Sequence, residues 1–144
     1  MAAYLRIEGA KELKAQLKKL RLEVGGPILA DAVNAGGEEL LEETRARAPA
    51  RRGVLLANLV LRRASKSRKS GLFRKGIARA RVGYRKAASH AGPVEVGHRI
   101  VRAGRVLGHV PPHPFMRPAF DATKERLAQT IGRELGAGID RASR

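Results

Sequence analysis

Cysteine and tryptophan are both absent from this chain of 144 residues. Without cysteine, disulfide bonds, thiol catalysis and thiolate metal sites are excluded. Aromatic residues are also few, and they are Tyr4, Phe73, Tyr84, Phe115 and Phe120. A core with so few bulky side chains buries little apolar surface for its length, which favours additional burial between subunits. We therefore expect the protein to form an oligomer.

Acidic residues are absent from the middle third of the chain. No Asp or Glu occurs in residues 44–94, whereas 15 of the 30 Lys and Arg residues fall there. The rest of the chain carries 15 basic and 13 acidic residues and is nearly balanced. The net charge of +17 is therefore concentrated in one segment, which we expect to face a polyanion, an acidic protein surface or solvent.

Long apolar runs are absent as well. No run approaches the roughly 20 apolar residues that a membrane-spanning helix needs. Residues 1–4 are followed at once by charge, and not by the apolar segment of a signal peptide. We therefore expect a protein made in the cytoplasm, with no membrane contact. The length is that of one ordinary domain, 1–144.

Two amphipathic helices are predicted in the N-terminal third. Apolar residues recur at intervals of three or four over 10–24, opposite a row of lysines, and again over 27–49. Gly36 and Gly37 interrupt the second helix. Since glycine lowers helix stability by about 1 kcal/mol relative to alanine, we expect either close packing against another element or a kink there. The glutamates of this helix, typical of a solvated face, are Glu38, Glu39, Glu42 and Glu43.

A small, mostly antiparallel sheet is predicted between residues 54 and 107. The apolar run 54–61 favours a strand that is covered on both faces. Residues 77–85 alternate between small or apolar side chains and arginines, which is typical of a half-buried strand. Two further strands are predicted at 94–96 and 100–107, with Gly104 as a hairpin turn.

The remaining elements complete the predicted fold. Residues 65–76, between the first two strands, have the composition of a loop, and we expect this basic loop to be flexible in the free subunit. A last helix is predicted from Pro118 to about Ile139, with Pro118 and Asp121 in its first turn and a frayed tail at 140–144. The predicted class is therefore α+β, with two N-terminal helices, the small sheet with its long basic loop, and a C-terminal helix packed on the sheet.

Groups that carry chemistry do not form a recognisable site. The histidines are not accompanied by cysteine or by enough nearby carboxylates for a metal centre. Neither a nucleophile elbow nor a glycine-rich phosphate loop is present. We predict no metal ion, no cofactor and no enzymatic activity. The four histidines are His90, His98, His109 and His113.

Three stretches, taken in order, resemble a known family. They are IEGAKELKAQLKKL at 7–20, ETRARAPARRGVLLANLV at 43–60, and VEVG at 94–97 followed by a loop and PFMRPAFDA at 114–122. Their order and spacing resemble the tail-completion or neck proteins of long-tailed double-stranded DNA phages, over nearly the whole chain. The resemblance implies a structural virion protein at the head–tail junction that forms a ring of identical subunits, six being the expected number.

We hypothesise two contact surfaces for such a ring. The strands predicted at 54–61 and 94–107 and the terminal helix are more apolar than so small a core needs, and we expect them to form the contact between subunits. The subunit interface is predicted to comprise Val94, Glu95, Val96, Gly97, Phe115, Met116, Pro118 and Phe120. A basic docking or channel surface is predicted to comprise Lys66, Arg68, Lys69, Arg74, Lys75, Arg79 and Arg81. The basic surface would meet an adjacent head-completion, tail-terminator or tail-tube protein, or make transient contact with genomic DNA in the channel.

Nucleic-acid binding by a small basic protein of the ribosomal type is the alternative function. The acid-free segment could neutralise many phosphates. It offers only Phe73 and Tyr84 as groups on which bases could stack, and no recognition-helix motif or zinc finger is recognisable. Binding to random duplex DNA with a steep salt dependence would favour this alternative or the channel role.

Overall fold

The computed structural model describes residues 24–50, 53–67 and 77–143, together with Ala15. These residues form four α-helices, which are α1 (Leu29–Arg47), α2 (Val54–Asn58), α3 (Ala91–Val96) and α4 (Met116–Ser143). Their strands are β1 (Leu59–Arg62), β2 (Arg81–Tyr84), β3 (His98–Arg102) and β4 (Arg105–Val110). A π-helical turn, Val24–Ile28, leads into α1, and a 3₁₀ turn, Lys86–Ala88, follows β2.

The predicted α+β class is confirmed. The helix predicted over 27–49 corresponds to α1, and the hairpin predicted around Gly104 corresponds to β3 and β4. The predicted sheet is divided into two antiparallel pairs, β1 with β2 and β3 with β4. The helix predicted over 10–24 lies almost entirely outside the described residues, and so do residues 68–76 of the basic loop.

The two long helices, α1 and α4, pack against each other in antiparallel orientation. Gly36 of α1 lies beside Ile131, while Gly138, near the end of α4, lies beside Ile28, which precedes α1. A Cβ on Gly36 would lie 3.0 Å from Cγ1 of Ile131, and one on Gly138 would overlap Cγ2 of Ile28. Because each glycine leaves room for the opposite side chain, these positions set the separation of the helices.

Polar contacts line the same helix pair. Nε of Arg126 in α4 lies 2.9 Å from Oε1 of Glu39 in α1, and the hydroxyl of Thr130 donates to the same carboxylate over 3.0 Å. The other glutamates of α1 are paired too: Glu38 with Arg63, Glu42 with Arg45, and Glu43 with Arg47. Such exposed pairs contribute only about 0–1 kcal/mol each. Their main consequence is that the acidic side of α1 is neutralised within the chain.

Gly37 marks a second close contact of α1, with the β1–β2 pair. A Cβ there would lie 2.7 Å from Cδ1 of Leu61 in β1 and 3.3 Å from Cβ of Ala80. The adjacent Gly36 faces α4. Close packing, one of the two alternatives predicted at these glycines, is therefore found, and it involves a different element at each.

The core lies against the inner face of the β1–β2 pair. Leu59 is opposite Tyr84, and Leu61 is opposite Val82, so these four side chains share one face. Phe115 has no exposed surface and is the largest fully buried side chain. The buried cluster comprises Leu41, Ala48, Leu55, Leu59, Ala88, Ala91 and Phe115. Three of these seven residues are alanine, so the described part of the core contains few bulky side chains.

The prediction of a strand over 54–61 is wrong in its first part. Residues Val54–Asn58 form α2, and β1 begins only at Leu59. Leu55 and Leu59 are both buried whereas Ala57 between them is exposed, although alternate residues of a single strand would share one face. A short apolar run does not by itself distinguish a buried strand from a helix. Here Gly53, in the left-handed conformation, precedes the helix.

The prediction of a strand at 94–96 is also wrong, because these residues end α3. Pro93 lies in the first turn of that helix, where its missing N–H needs no partner. The amide of Val94 donates to the carbonyl of His90 over 3.0 Å, which closes the turn. Three alternating residues are too few to establish a strand, and the preceding proline favours the helix.

Helix α4 begins earlier and ends later than predicted. It starts at Met116, so Pro118 lies in the first turn as predicted, whereas Asp121 does not. It continues past Ile139 to Ser143, and a Cβ at Gly138 would overlap Ile28, so α4 is packed at least as far as Gly138. The frayed tail at 140–144 stays a prediction. None of the described helices combines the length and the hydropathy that crossing a bilayer requires.

The buried side chain of Asn34 in α1 holds the chain where β1 leads into the basic loop. Its Oδ1 accepts a hydrogen bond from the amide of Ala64 over 2.6 Å, and its Nδ2 donates to the carbonyl of Ala64 over 3.4 Å. Both backbone groups of Ala64 are thereby satisfied outside any strand. The start of the basic loop is thus anchored to α1.

Substituting Gly138 by alanine is expected to destabilise the protein by about 1–3 kcal/mol, because the new methyl group overlaps Ile28. The matched control is Gly136→Ala in the same helix, where a Cβ meets no described atom within 4 Å. The control is expected to gain up to about 1 kcal/mol from helix propensity. Urea unfolding of dilute protein, followed by circular dichroism, measures both changes. Equal effects would contradict the close approach of α4 to Ile28.

Candidate assembly surfaces

The carboxylate of Glu95 caps the N-terminus of α4. Its Oε2 accepts hydrogen bonds from the amides of Phe115 and Met116 at 2.8 and 3.0 Å, and its Oε1 accepts one from Arg117 at 3.1 Å. The first amides of a helix have no partner within the helix, and the helix dipole favours a negative charge there. Glu95 therefore joins α3 to α4 and supplies the charge that was predicted to come from Asp121.

The environment of Glu95 favours its ionised form. Partial burial opposes ionisation, but the three amide hydrogen bonds and the nearby Arg117 guanidinium outweigh it and lower the pKa of Glu95 below its ordinary value. Because the charge is stabilised by backbone groups of α4, the connection between α3 and α4 is tighter when Glu95 is ionised.

Gly97 holds the base of the β3–β4 hairpin. Its φ is +74°, and a Cβ at this position would lie 2.8 Å from the carbonyl oxygen of Val110 and 2.9 Å from the nitrogen of Pro112. The backbone conformation and the lack of space both exclude a side chain. Next to this point, the amide of His113 donates to the carbonyl of Val94 over 2.8 Å. The base of the hairpin is thus tied to α3.

The β3–β4 hairpin extends from this base and exposes apolar side chains to solvent. Its two strands pair with each other, and all five residues of β3 are exposed. Its exposed large apolar residues are Ile100, Val101, Val106 and Leu107. Ile100 and Val101 are successive residues of β3, so their side chains point to opposite faces of the hairpin. A register shift opposite them leaves Leu107 of β4 without a directly facing residue. An isolated two-stranded hairpin is only marginally stable in water, which suits this one to contact with another surface.

The same hairpin is strongly basic. Arg102 is directly opposite Arg105, and Arg99 is opposite His109. No acidic residue occurs anywhere in 96–120, and none of the three arginines forms a salt bridge with a described residue. Like charges directly opposite each other weaken an antiparallel pair. An acidic partner would relieve this repulsion.

A second arginine surface covers the outer face of the β1–β2 pair. Arg62 is directly opposite Arg81, and a Cβ on the neighbouring Gly83 would meet no described atom within 4 Å. Arg79 and Arg85 are exposed as well, so the alternation predicted for this segment is found, although only Arg81–Tyr84 pairs as a strand. We call these four residues the arginine face.

The predicted basic docking residues lie only partly within the described chain. Arg79 and Arg81 belong to the arginine face. Lys66 is paired with Asp31 of α1, its Nζ lying 2.5 Å from Oδ1, so it is held near the anchored start of the loop. The predicted docking residues outside the described ranges are Arg68, Lys69, Arg74 and Lys75.

The predicted subunit-interface residues gather around α3 and the start of α4, but they differ in exposure. Val96 and Phe120 are 72% and 50% exposed. Phe115 is fully buried in the core, which assigns it to the stability of the single chain. The partly buried members are Val94, Glu95, Gly97, Met116 and Pro118. For the exposed members, an interface role stays a prediction.

An apolar groove of about 480 Å³ lies between α2, α3 and the base of the hairpin. Val54, Leu55 and Val94 are among its lining residues, and its titratable groups are His90 and His113. Among the residues that the structure describes, no carboxylate lines it to form an acid–base pair with either histidine. Within the described ranges, no three His, Asp or Glu side chains lie close enough together to hold a metal ion.

The chain was compared with protein-family models, curated proteins and solved structures. None of them matches it. The features of the chain from which a function can be proposed are therefore those of its own sequence and geometry. They are above all the exposed hairpin and the two arginine-rich surfaces.

The strands predicted at 94–107 for the subunit contact contain the exposed apolar side chains of the hairpin. The individually predicted interface residues include Gly97 and Phe115 but none of the apolar residues between them. A signal was present, because adjacent apolar pairs such as Ile100–Val101 cannot both face one core from a strand. The capping role of Glu95 left no such signal, since its partners lie 20 to 22 residues further along the chain.

Replacing Glu95 by glutamine is expected to lower the free energy of unfolding by about 1–2 kcal/mol at neutral pH. Glutamine has one acceptor oxygen in place of two and carries no charge at the helix N-terminus. Urea unfolding measures the loss. The control is Glu125→Gln, an exposed glutamate of α4 without a described salt bridge, which is expected to change stability by less than about 0.5 kcal/mol.

The contribution of Glu95 is also expected to depend on pH. Its pKa is lower in the folded chain than in the unfolded chain, so its stabilising effect is fully present above the ordinary carboxyl pKa. The effect is lost as the pH falls through the lowered value. The difference in stability between Glu95→Gln and the unsubstituted protein should therefore shrink on acidification. A difference that stays constant from neutral pH to about pH 3 would contradict the charged cap.

Proposed function

We propose that this protein is a structural subunit of the head–tail junction of a long-tailed double-stranded DNA phage, where identical copies form a ring. Six copies are the expected number, and the protein acts by assembly without catalytic turnover. The resemblance of its sequence to tail-completion and neck proteins motivates the proposal. The observation that carries it is the β3–β4 hairpin, which exposes four large apolar side chains on a two-stranded element.

Two physical features of the hairpin favour a protein partner. Its apolar side chains stay in water in the single chain, where Leu107 is 62% exposed, and removing such surface from water is worth about 25 cal/mol per Å². Its outer strand edges also offer unpaired backbone groups that can extend a partner's sheet. Because the alanine-rich core is thin, burial between copies would add stability that the single chain does not have.

In such a ring, the arginine face and the basic loop would serve a second contact. They would meet the acidic surface of an adjacent head-completion, tail-terminator or tail-tube protein, or the genome where it passes through the channel. The like-charge pair Arg62–Arg81 supports an anionic partner, because neutralisation would relieve its repulsion. Either contact would weaken as the salt concentration rises.

Ring formation is expected for the purified protein, and sedimentation velocity with negative-stain electron microscopy measures it. Phe120→Asp is expected to disrupt assembly while leaving the circular dichroism spectrum intact, because Phe120 is half exposed. The contrasting variant is Phe115→Asp, which places a charge in the core and is expected to unfold the chain. A chain that stays a stable monomer at all concentrations would overturn the proposal.

Nucleic-acid binding as a small basic protein is the second candidate, and the open arginine face favours it. If the face contacts phosphates, Arg62→Ser with Arg81→Ser should reduce the salt slope of binding to random duplex DNA by about two. Arg133→Ser with Arg141→Ser, on α4, is the matched control and should have little effect. An absence of DNA binding, together with salt-sensitive binding to an acidic neck protein, would exclude this candidate.

A further inference from the structure

Building on the proposed ring, we infer that the β3–β4 hairpin of each copy lies across the outer face of α4 in the next copy. The outer face is formed by Asp121, Glu125, Ala128, Gly132 and Gly136, all of which are exposed. The contact joins two different surfaces of the same chain. Its repetition closes into a ring where the rotation between copies allows it, whereas a contact between two identical surfaces would stop at a dimer.

The outer face occupies one side of α4. Its members follow each other at intervals of three or four residues, which places them in a row along the helix. The buried residues of α4 fall at other positions, and Leu127 and Gly138 among them meet α1 and the turn before it. The row is thus turned away from α1 and is free of described neighbours at Gly132 and Gly136.

These two glycines have no explanation within the described part of the chain. Each lowers helix stability by about 1 kcal/mol relative to alanine. Gly138 is explained by the overlap that a side chain would make with Ile28, but a Cβ at Gly132 or Gly136 would meet no described atom within 4 Å. With Ala128 they form a smooth surface, which suits the close approach of bulky side chains from a partner.

Charge complementarity indicates that the β3–β4 hairpin of the next copy is the partner of the outer face. Asp121 and Glu125 form no salt bridge with a described residue, while Arg99, Arg102 and Arg105 of the hairpin have no described acidic partner. The apolar side chains of the hairpin would lie on the small-residue surface, and its arginines would reach the two carboxylates. Lys124 is also exposed on α4, so charge favours the hairpin only on the Asp121–Glu125 side.

A charge exchange tests the contact on the full-length protein. One variant carries Arg102→Glu with Arg105→Glu, a second carries Asp121→Lys with Glu125→Lys, and a third carries all four substitutions. Each of the first two is expected to weaken association at least about tenfold, because like charges then face each other. The combined variant restores opposite charges at every contact and is expected to assemble to within about threefold of the unsubstituted protein.

Mixing the first two variants provides an independent arm, because in an alternating ring every hairpin meets a helix of opposite charge. The matched control is Lys86→Glu with Arg141→Glu, two exposed residues outside both surfaces, which changes the net charge as much as the hairpin variant does and should leave assembly unchanged. Sedimentation velocity at several protein concentrations measures all of them. Rescue in both the combined variant and the mixture supports the inference.

The outcomes that overturn it are distinguishable from failure of the ring itself. If the unsubstituted protein assembles and the two reversals have no effect, or the combined variant is not rescued, the surfaces are misassigned and the ring proposal stands. A monomeric unsubstituted protein overturns both.

The variant Gly132→Leu tests whether another part of the same chain covers the outer face of α4. It should weaken association without lowering the urea midpoint of dilute protein. A lowered midpoint would show that the chain itself covers this face, and would overturn the inference.

Discussion

The close approach of α1 and α4 is the contact on which the rest of the structure depends. At Gly36 and Gly138, a missing side chain makes room for an isoleucine of the opposite segment. Gly37 brings β1 equally close to another side of α1. The long helix thus becomes a central element packed by α4 and by the β1–β2 pair. Short distances between backbones compensate for the scarcity of bulky side chains, since dispersion contacts accumulate where surfaces fit tightly.

Glu95 extends this framework to the region that we assign to assembly. Its carboxylate binds three amides at the start of α4, and the preceding residue, Val94, accepts a hydrogen bond from His113. The chain between these points leaves as the β3–β4 hairpin, whose base needs Gly97. A rigid base therefore carries an exposed apolar element. This arrangement positions the hairpin for a partner without requiring the hairpin to contribute to the core.

Charge is distributed in a way that supports the same division of roles. The glutamates of α1 form ion pairs with basic groups of the same chain, among them Arg63 and Arg126. The arginine face and the hairpin arginines have no such partners among the described residues, and each surface places two arginines opposite each other. Repulsion that is not relieved inside a chain favours contact with an anionic surface outside it. On α4, Asp121 and Glu125 provide one such surface.

The sequence by itself determined the α+β class, α1, the hairpin at Gly104 and the concentration of positive charge, because each depends on local periodicity or composition. Tertiary structure decided the rest. It decided for close packing over a kink at Gly36 and Gly37, it joined the helix that ends at 94–96 to α4 through Glu95, and it buried Leu55 of α2 and Leu59 of β1 in one core. The sequence also did not determine which apolar groups stay exposed, because burial depends on contacts between residues far apart in the chain.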